Sequence, residues 1–153
     1  MTTDNSTNPA IWPTSMPSSD VKQLVKRFFT LVDTSSDDVG QKLADEVFTH
    51  DGVFITANAT FQGSAEILHS RKGAWTTVKK RRHTILKSYV NDVHGTDIIL
   101  VGNLKMETLD GTKTSLEFVA RMEIEEQWPG PKISQYQVIS PAPKDSRPIV
   151  DIE

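Results

Sequence analysis

Apolar residues in the first third of the chain recur at steps of three and four, the spacing that places them on one side of an α-helix. Ser19 and Asp20 suit an N-cap, and the apolar positions after them predict an amphipathic helix that ends near Asp33. Those positions are Val21, Leu24, Val25, Phe28 and Val32. We expect this helix to bury one apolar stripe.

Two further helices are predicted, separated by one strand. Asp37 and Asp38 can cap a shorter helix, which ends where the chain turns at 50–52 into a strand over 53–57. The apolar side of that helix consists of Val39, Leu43 and Val47. A third helix is predicted from Ser64 to about Lys80. Its inward stripe consists of Ile67, Arg71, Trp75 and Val78.

Beyond residue 80 the apolar period shortens to two, which predicts β-strands over 83–90, 97–108, 112–125 and 132–140. The dipeptide Asp110-Gly111 favours a two-residue hairpin turn. Helices followed by consecutive antiparallel strands are typical of the α+β class. We predict a cone-shaped, curved antiparallel sheet closed by three helices around a single pocket.

The chain has 153 residues, enough for one domain with a buried core. Residues 1–18 are rich in Thr, Ser, Asn and Pro and predict a flexible arm, in which Trp12 can act as a hook. The proline-broken segment 141–153 predicts a tail, which leaves 19–140 as the folded domain.

Composition and charge exclude several classes of protein and of chemistry. The absence of cysteine excludes disulfides and thiolate chemistry, and no apolar run approaches the length that a membrane span requires. A net charge of -3 gives no general attraction for phosphate backbones, so we expect no nucleic-acid partner despite the basic run 79–83. The N-terminus lacks the apolar core of a secretory signal, which favours a cytoplasmic location.

A two-residue turn at 110–111 would set the register of its flanking strands. It would pair Leu104 with Glu117 and Leu100 with Arg121, so both charged residues would share a face with apolar ones. On one interpretation Glu117 projects into an apolar cavity and is suited to proton transfer. On the other, Glu117 and Arg121 form a solvated ion pair on the outer face, and a three-residue turn would exchange the two faces.

His83 is the strongest candidate for acid–base chemistry, because imidazole titrates near physiological pH and the residue lies where helix gives way to sheet. A hydrogen-bonded structural histidine is the alternative. His50, His69 and His94 are expected to be solvated. Arg71 would lie between Ile67 and Trp75 on an inward stripe and would need a partner, either a carboxylate of the protein or an acidic or enol-bearing ligand.

Asp51, at a strand entrance, and Tyr136, in the last strand, are further polar candidates. Either residue has a structural alternative, as a turn residue or as a core tyrosine.

The chain resembles the SnoaL-like branch of the nuclear transport factor 2-like superfamily, especially its small fungal members, over roughly residues 20–140. The segments that carry the resemblance are 61–67 (FQGSAEI), Arg71, Trp75, Arg82-His83, 100–102 (LVG), 117–121 (EFVAR) and 136–138 (YQV). The resemblance implies an α+β barrel, usually a homodimer, whose cavity binds a small hydrophobic or aromatic molecule without metal or organic cofactor. Family members include polyketide cyclases, dehydratases and ketosteroid isomerases.

The hypothesis that follows is a cofactor-independent isomerase, cyclase or lyase acting on a hydrophobic secondary metabolite. His83 and Glu117 would exchange protons, Arg71 or Arg82 would hold a developing oxyanion, and Asp51 is a further candidate base. The residues expected to bind substrate are Trp75, Arg82, Leu104, Phe118, Arg121 and Tyr136. The alternative is a non-catalytic ligand-binding or dimerisation module of the same fold.

Overall fold

A curved sheet covered on one face by a long helix forms the body of the protein, as described by a computed structural model of residues 18–141. The predicted terminal arms, including Trp12, lie outside the described residues apart from their innermost positions. Among the helices of residues 18–141, none has both the length and the apolarity needed to cross a bilayer.

The helices are α1 (Ser19–Val32), α2 (Val39–Lys42), which continues into a π-helical turn (Leu43–Val47), and α3 (Gly63–Leu68). The prediction of α1 is confirmed, although its cap is Ser18, whose side chain accepts a hydrogen bond from the Val21 backbone N–H at 3.3 Å. Seven residues of α1 are buried, which accounts for the apolar periodicity of its sequence.

The third helix is much shorter than predicted. It ends at Leu68, and the chain then passes through successive turns in which Gly73 adopts a left-handed φ of +77°. The chain becomes extended at Val78, which pairs with Thr108 in the sheet. Arg71 and Trp75 therefore lie in irregular backbone rather than on a helical stripe, because strand pairing and a left-handed glycine override the helical spacing.

The strands are β1 (Phe48–Ile55), β2 (Thr60–Gln62), β3 (Val78–Val90), β4 (Asp97–Thr108), β5 (Lys113–Glu125) and β6 (Lys132–Pro141). Within residues 18–141 they form one sheet in the order β2-β1-β6-β5-β4-β3. All neighbours are antiparallel except β1 and β6, which are parallel, so the sheet is mixed rather than wholly antiparallel as predicted. Segment 50–52 belongs to β1 instead of forming a turn, and β2 was not predicted.

The β4–β5 connection is a three-residue loop, so the predicted register is wrong by one residue. The Thr108 backbone N–H donates to the Thr112 carbonyl at 2.9 Å, and Gly111 has a φ of +91°. Asp110 accepts from the Thr112 N–H at 3.0 Å, which stabilises the longer loop. Because side chains alternate along a strand, this shift moves each predicted β5 residue to the opposite face relative to β4.

The core lies between α1 and the inner face of the sheet. Phe28 contacts the rings of Phe48, Phe54 and Tyr136, and Phe29 contacts those of Phe118 and Tyr136. These two phenylalanines join the helix to three strands. Burial of each side chain stabilises the fold by roughly 1.5–3 kcal/mol.

Gly102 on β4 is required by close packing, because a Cβ at this position would lie 2.7 Å from the Phe118 ring and 2.7 Å from the Thr84 carbonyl oxygen. We predict that Gly102→Ala lowers the free energy of unfolding by roughly 1–3 kcal/mol, as overpacking does. Urea denaturation measures the change. Gly130→Ala is the control, since a Cβ there meets no atom within 4 Å, and equal stabilities of the two variants would contradict the prediction.

Candidate functional site

A histidine and an aspartate meet where the end of α1 reaches β3. His83 Nδ1 lies 2.6 Å from Asp33 Oδ1, and the His83 backbone N–H donates to Asp33 Oδ2 at 2.7 Å. Because a carboxylate only accepts hydrogen bonds, Nδ1 carries a proton, and in the neutral ring Nε2 then holds the free electron pair. Asp33 thus fixes both the orientation and the tautomer of His83.

Two phenylalanines shield this pair from water. The His83 ring centroid lies 5.3 Å from that of Phe29 and 5.4 Å from that of Phe118. The side chains of His83 and Asp33 are 15% and 13% exposed. In such surroundings the interaction between the imidazole and the carboxylate is stronger than it would be in water.

Tyr136 is buried against α1 near this pair. Burial and the negative charge of Asp33 raise the pKa of the Tyr136 phenol. The phenol therefore stays protonated at neutral pH, and the alternative of a core tyrosine is confirmed by its contacts with Phe28 and Phe54.

Arg71 binds the C-terminal end of α1. One of its terminal nitrogens donates to the Val32 carbonyl oxygen at 2.9 Å, a contact that suits the negative end of the helix dipole. Burial and the neighbouring Arg81 charge lower the pKa of Arg71 to about 10, against a smaller opposing effect of Asp33. The partner that the sequence left open is thus a backbone carbonyl, with Asp33 as a nearby charge.

Arg81 and Trp75 form a second cationic element. The Arg81 guanidinium lies 4.7 Å from the centroid of the Trp75 ring and donates to the Ala74 carbonyl oxygen at 2.9 Å. Burial lowers the pKa of Arg81. Stacking on the indole holds the guanidinium in a fixed plane.

A cavity of about 630 Å³ opens beside these residues, between the end of α1 and the hairpin ends of β3, β4 and β5. Asp33 lines it, as does Arg81, which shares a face of β3 with His83, while His83 itself borders the cavity only through its bond to Asp33. A second cavity of about 540 Å³ lies on the Arg71 side, and Trp75 borders both. The lining of the larger cavity consists of Asp33, Ser35, Trp75, Lys79, Lys80, Arg81, Arg82, Lys105, Met106, Glu107, Lys113, Thr114 and Ser115.

Glu117 and Arg121 do not meet His83. His83 pairs with Leu104, which pairs with Leu116, whereas Glu117 pairs with Asn103 and therefore lies on the opposite face. Arg121 shares that outer face, and its guanidinium donates to both Asp97 carboxylate oxygens at 2.9 and 2.8 Å. The prediction that Glu117 and His83 face one cavity is wrong, because the turn has three residues.

The remaining candidates divide between the two faces. Leu104 and Phe118 lie on the inner face beside His83, whereas Arg82 is exposed at the rim of the larger cavity. Asp51 is exposed on β1, where it accepts a hydrogen bond from Thr49 at 3.1 Å, and no contact joins it to the described residues of the site. The three other histidines are exposed, as predicted.

Sequence reasoning missed Asp33 and Arg81. Asp33 follows the last turn of a helix, where the dipole disfavours negative charge, and this unfavourable position is a signal of function that the sequence does contain. Arg81 had no comparable signal, because the helix expected over 64–80 concealed its proximity to Trp75. Residues 18–141 contain no group of three or more His, Asp or Glu side chains placed to hold a metal ion.

Comparison with solved structures defines the fold. A nuclear transport factor 2-like superfamily protein from Salmonella enterica matches with a TM-score of 0.63 and 15% identity, over 82% of this chain and 91% of that one. A hexachlorocyclohexane dehydrochlorinase, LinA type 2, matches with a TM-score of 0.64 and 15% identity, over 86% and 94%. A Catenulispora acidiphila protein with a ketosteroid isomerase-like fold, in complex with trimethylamine, matches with a TM-score of 0.62 and 14% identity, over 77% and 85%.

No protein-family profile and no curated protein matches the sequence. The chain has the nuclear transport factor 2-like α+β fold, as the sequence predicted. At these levels of identity the likeness defines architecture and leaves the reaction to be argued from the site.

The buried phenol of Tyr136 should ionise only at high pH. Because the folded-state pKa of Tyr136 is raised above its unfolded value, its contribution to stability is present below about pH 10 and is lost as pH rises further. Titration of tyrosinate absorbance should show a late step that coincides with unfolding. Tyr136→Phe should remove that step and Tyr89→Phe should leave it, whereas a late step retained in Tyr136→Phe would contradict the prediction.

Proposed function

We propose that the protein is a cofactor-independent isomerase, cyclase or lyase that acts by acid–base chemistry on a hydrophobic small molecule. The observation that supports this proposal is the Asp33–His83 pair, in which the imidazole packs against Phe29 and Phe118 and the carboxylate lines a 630 Å³ cavity. An oriented imidazole with a free Nε2 in a poorly hydrated site is suited to removing a proton from carbon.

The proposed step begins when His83 Nε2 takes a proton from a carbon next to a carbonyl or a leaving group. The imidazolium so formed is stabilised by the Asp33 carboxylate, which lies 2.6 Å from Nδ1. Return of the proton to another carbon gives isomerisation or completes a ring closure. Its transfer to a departing group gives elimination.

Negative charge that develops on the substrate oxygen would be stabilised by the nearby guanidinium groups. Arg81 borders the larger cavity, and Arg71 lies close enough for the Arg81 charge to lower the pKa of Arg71. Glu117 lies on the outer face, so His83 carries both proton-transfer roles.

The structural neighbours support an enzyme of this type without specifying the reaction. The name of the dehydrochlorinase describes the elimination of hydrogen chloride, and that of the Catenulispora protein refers to an isomerase fold. We further propose that the substrate is a secondary metabolite and that the protein acts in the cytoplasm, without a metal or organic cofactor.

A non-catalytic binding module is the second candidate. The observation that favours it is that both Asp33 oxygens bond to His83 itself, the pattern of a structural pair that fastens a helix to a strand. In that case the cavity would bind a ligand without changing it.

Proton exchange separates the two candidates without knowledge of the substrate. Wild-type protein should accelerate deuterium incorporation from D₂O into cyclic ketones, 1,3-diketones or aryl ketones, followed by proton NMR. His83→Gln should reduce the rate by about a hundredfold or more, and Asp33→Asn by at least about tenfold. His94→Gln, at an exposed histidine, should leave the rate unchanged.

A rate in His83→Gln equal to that of the wild type would remove the imidazole from the mechanism. Binding of the same ketones with no exchange in any variant would favour the second candidate. Circular dichroism of each variant establishes that it is folded.

We also propose that the protein is a homodimer. The exposed hydrophobic residues Tyr89 on β3 and Ile139 on β6 support association through the sheet, with 47% and 51% of their surface exposed. Light scattering after size exclusion should give twice the chain mass of 17.1 kDa, and Tyr89→Glu with Ile139→Glu should give a monomer. Leu109→Glu, at the exposed β4–β5 loop, should remain dimeric, and a monomeric wild type would contradict the proposal.

A further inference from the structure

The larger cavity has a charge opposite to that of the whole chain. Its lining contains six cationic and two anionic side chains, whereas the chain carries a net charge of -3. The cationic residues are Lys79, Lys80, Arg81, Arg82, Lys105 and Lys113. Concave surfaces of one sign concentrate the electrostatic field and attract ligands of the opposite sign.

The two carboxylates of the lining do not neutralise this charge. Asp33 is hydrogen-bonded to His83, and Glu107 lies at the limit of ion pairing, 3.9 and 4.0 Å from the ammonium groups of Lys79 and Lys80. Within residues 18–141, Lys105 and Lys113 have no carboxylate oxygen within 4 Å, although they border the cavity from β4 and β5.

The deeper part of the site contains cations that protein groups satisfy only in part. Arg81 uses one terminal nitrogen to bond the Ala74 carbonyl, and its other terminal nitrogen is buried without an acceptor among the described residues. The Nε of Arg71 and the indole Nε1 of Trp75 are likewise buried without an acceptor among the described residues. Buried donors and cations without partners are costly, and a nearby anion would offset that cost.

We infer that the ligand carries an acidic group, a carboxylate or a phosphate ester, that binds at Arg81, beside Trp75. Lys105 and Lys113 alternate with Met106 and Thr114 and so lie on the opposite face from Arg81, where they add positive charge at the rim of the cavity. The inference rests on the proposed function for the remainder of the ligand, an apolar portion directed along Trp75 and Met106 towards His83.

A small anion fits the cavity better than a nucleic acid does. Arg81 and Trp75 are half-buried and lie inside the concavity, where an extended phosphate backbone would not contact them. The positive charge at the rim alone would attract either a small anion or a nucleic acid. The positive charge inside the cavity favours the small anion.

Matched probes test the inference. Binding of 2-naphthoate, 2-naphthyl phosphate and the neutral 2-naphthamide should be measured by calorimetry at low salt and at about 0.2 M NaCl, where screening weakens charge interactions. At least one acidic probe should bind about tenfold or more tightly than the amide, and added salt should reduce that difference. The stronger of the two acidic probes identifies the acidic group as carboxylate or phosphate.

Variants locate the site. Lys105→Gln with Lys113→Gln should weaken the acidic probe about fivefold and leave the amide unchanged, as expected for exposed charges. Lys87→Gln is the matched control, because Lys87 lies on the same sheet outside the cavity, beside Tyr89. Arg81→Gln should weaken the acidic probe about tenfold or more, and Arg81→Lys should restore part of the loss.

The inference is overturned if no acidic probe binds more tightly than the amide, or if the Lys105 and Lys113 variant matches Lys87→Gln. It is also overturned if a single-stranded RNA binds and is weakened by that variant while the acidic probes are not. His83→Gln should retain the preference for the acidic probe. Absence of proton exchange in the wild type, with this preference intact, would therefore refute the proposed function alone.

Discussion

The hydrogen bonds from His83 to Asp33 join the only long helix among residues 18–141 to the sheet at the place where the cavity begins. Both carboxylate oxygens are used, one by the imidazole and one by the backbone, so the end of α1 has little freedom relative to β3. Arg71 reinforces the same junction by bonding the Val32 carbonyl. The position of the cavity therefore depends on this one polar contact between otherwise apolar layers.

Apolar packing makes that contact possible. Phe28 and Phe29 are neighbours in sequence, yet one packs against β1 and β6 and the other against His83 and Phe118. Gly102 leaves the space that the Phe118 ring occupies beside the imidazole. A pair of polar groups shielded in this way interacts more strongly than it would in water. The same apolar surroundings therefore stabilise the fold and strengthen this polar contact.

The two sides of the sheet separate two kinds of charge. On the outer face Arg121 is neutralised by Asp97 in a two-point contact, which is a stable and ordinary ion pair. On the cavity side, Arg81 and Arg71 bond to backbone carbonyls, and no carboxylate within residues 18–141 lies within 4 Å of either. Positive charge thus accumulates where a ligand would bind, although the chain as a whole is acidic.

The residue pattern alone predicted α1, the four long strands and the α+β class, because helical and strand periodicities are local properties of the chain. It also made His83 a candidate for acid–base chemistry, since imidazole has a special titration range wherever it lies. The pattern placed Glu117 on the wrong face of the sheet, because the face of every β5 residue depends on one additional residue in the loop around Asp110. It failed again over 69–80, where successive turns, and from Val78 strand pairing with β4, replaced the predicted helix.

Asp33 and Arg81 show most clearly what the residue pattern does not predict. Asp33 is 50 residues from His83 in the chain, and only the packing of α1 on the sheet brings the carboxylate to the imidazole. Local patterns in the sequence were enough to predict most of the elements and to name the side chains that can carry charge or protons. The tertiary structure decided which of them meet, because contacts between distant residues are set by register and packing, and neither is encoded at a single position.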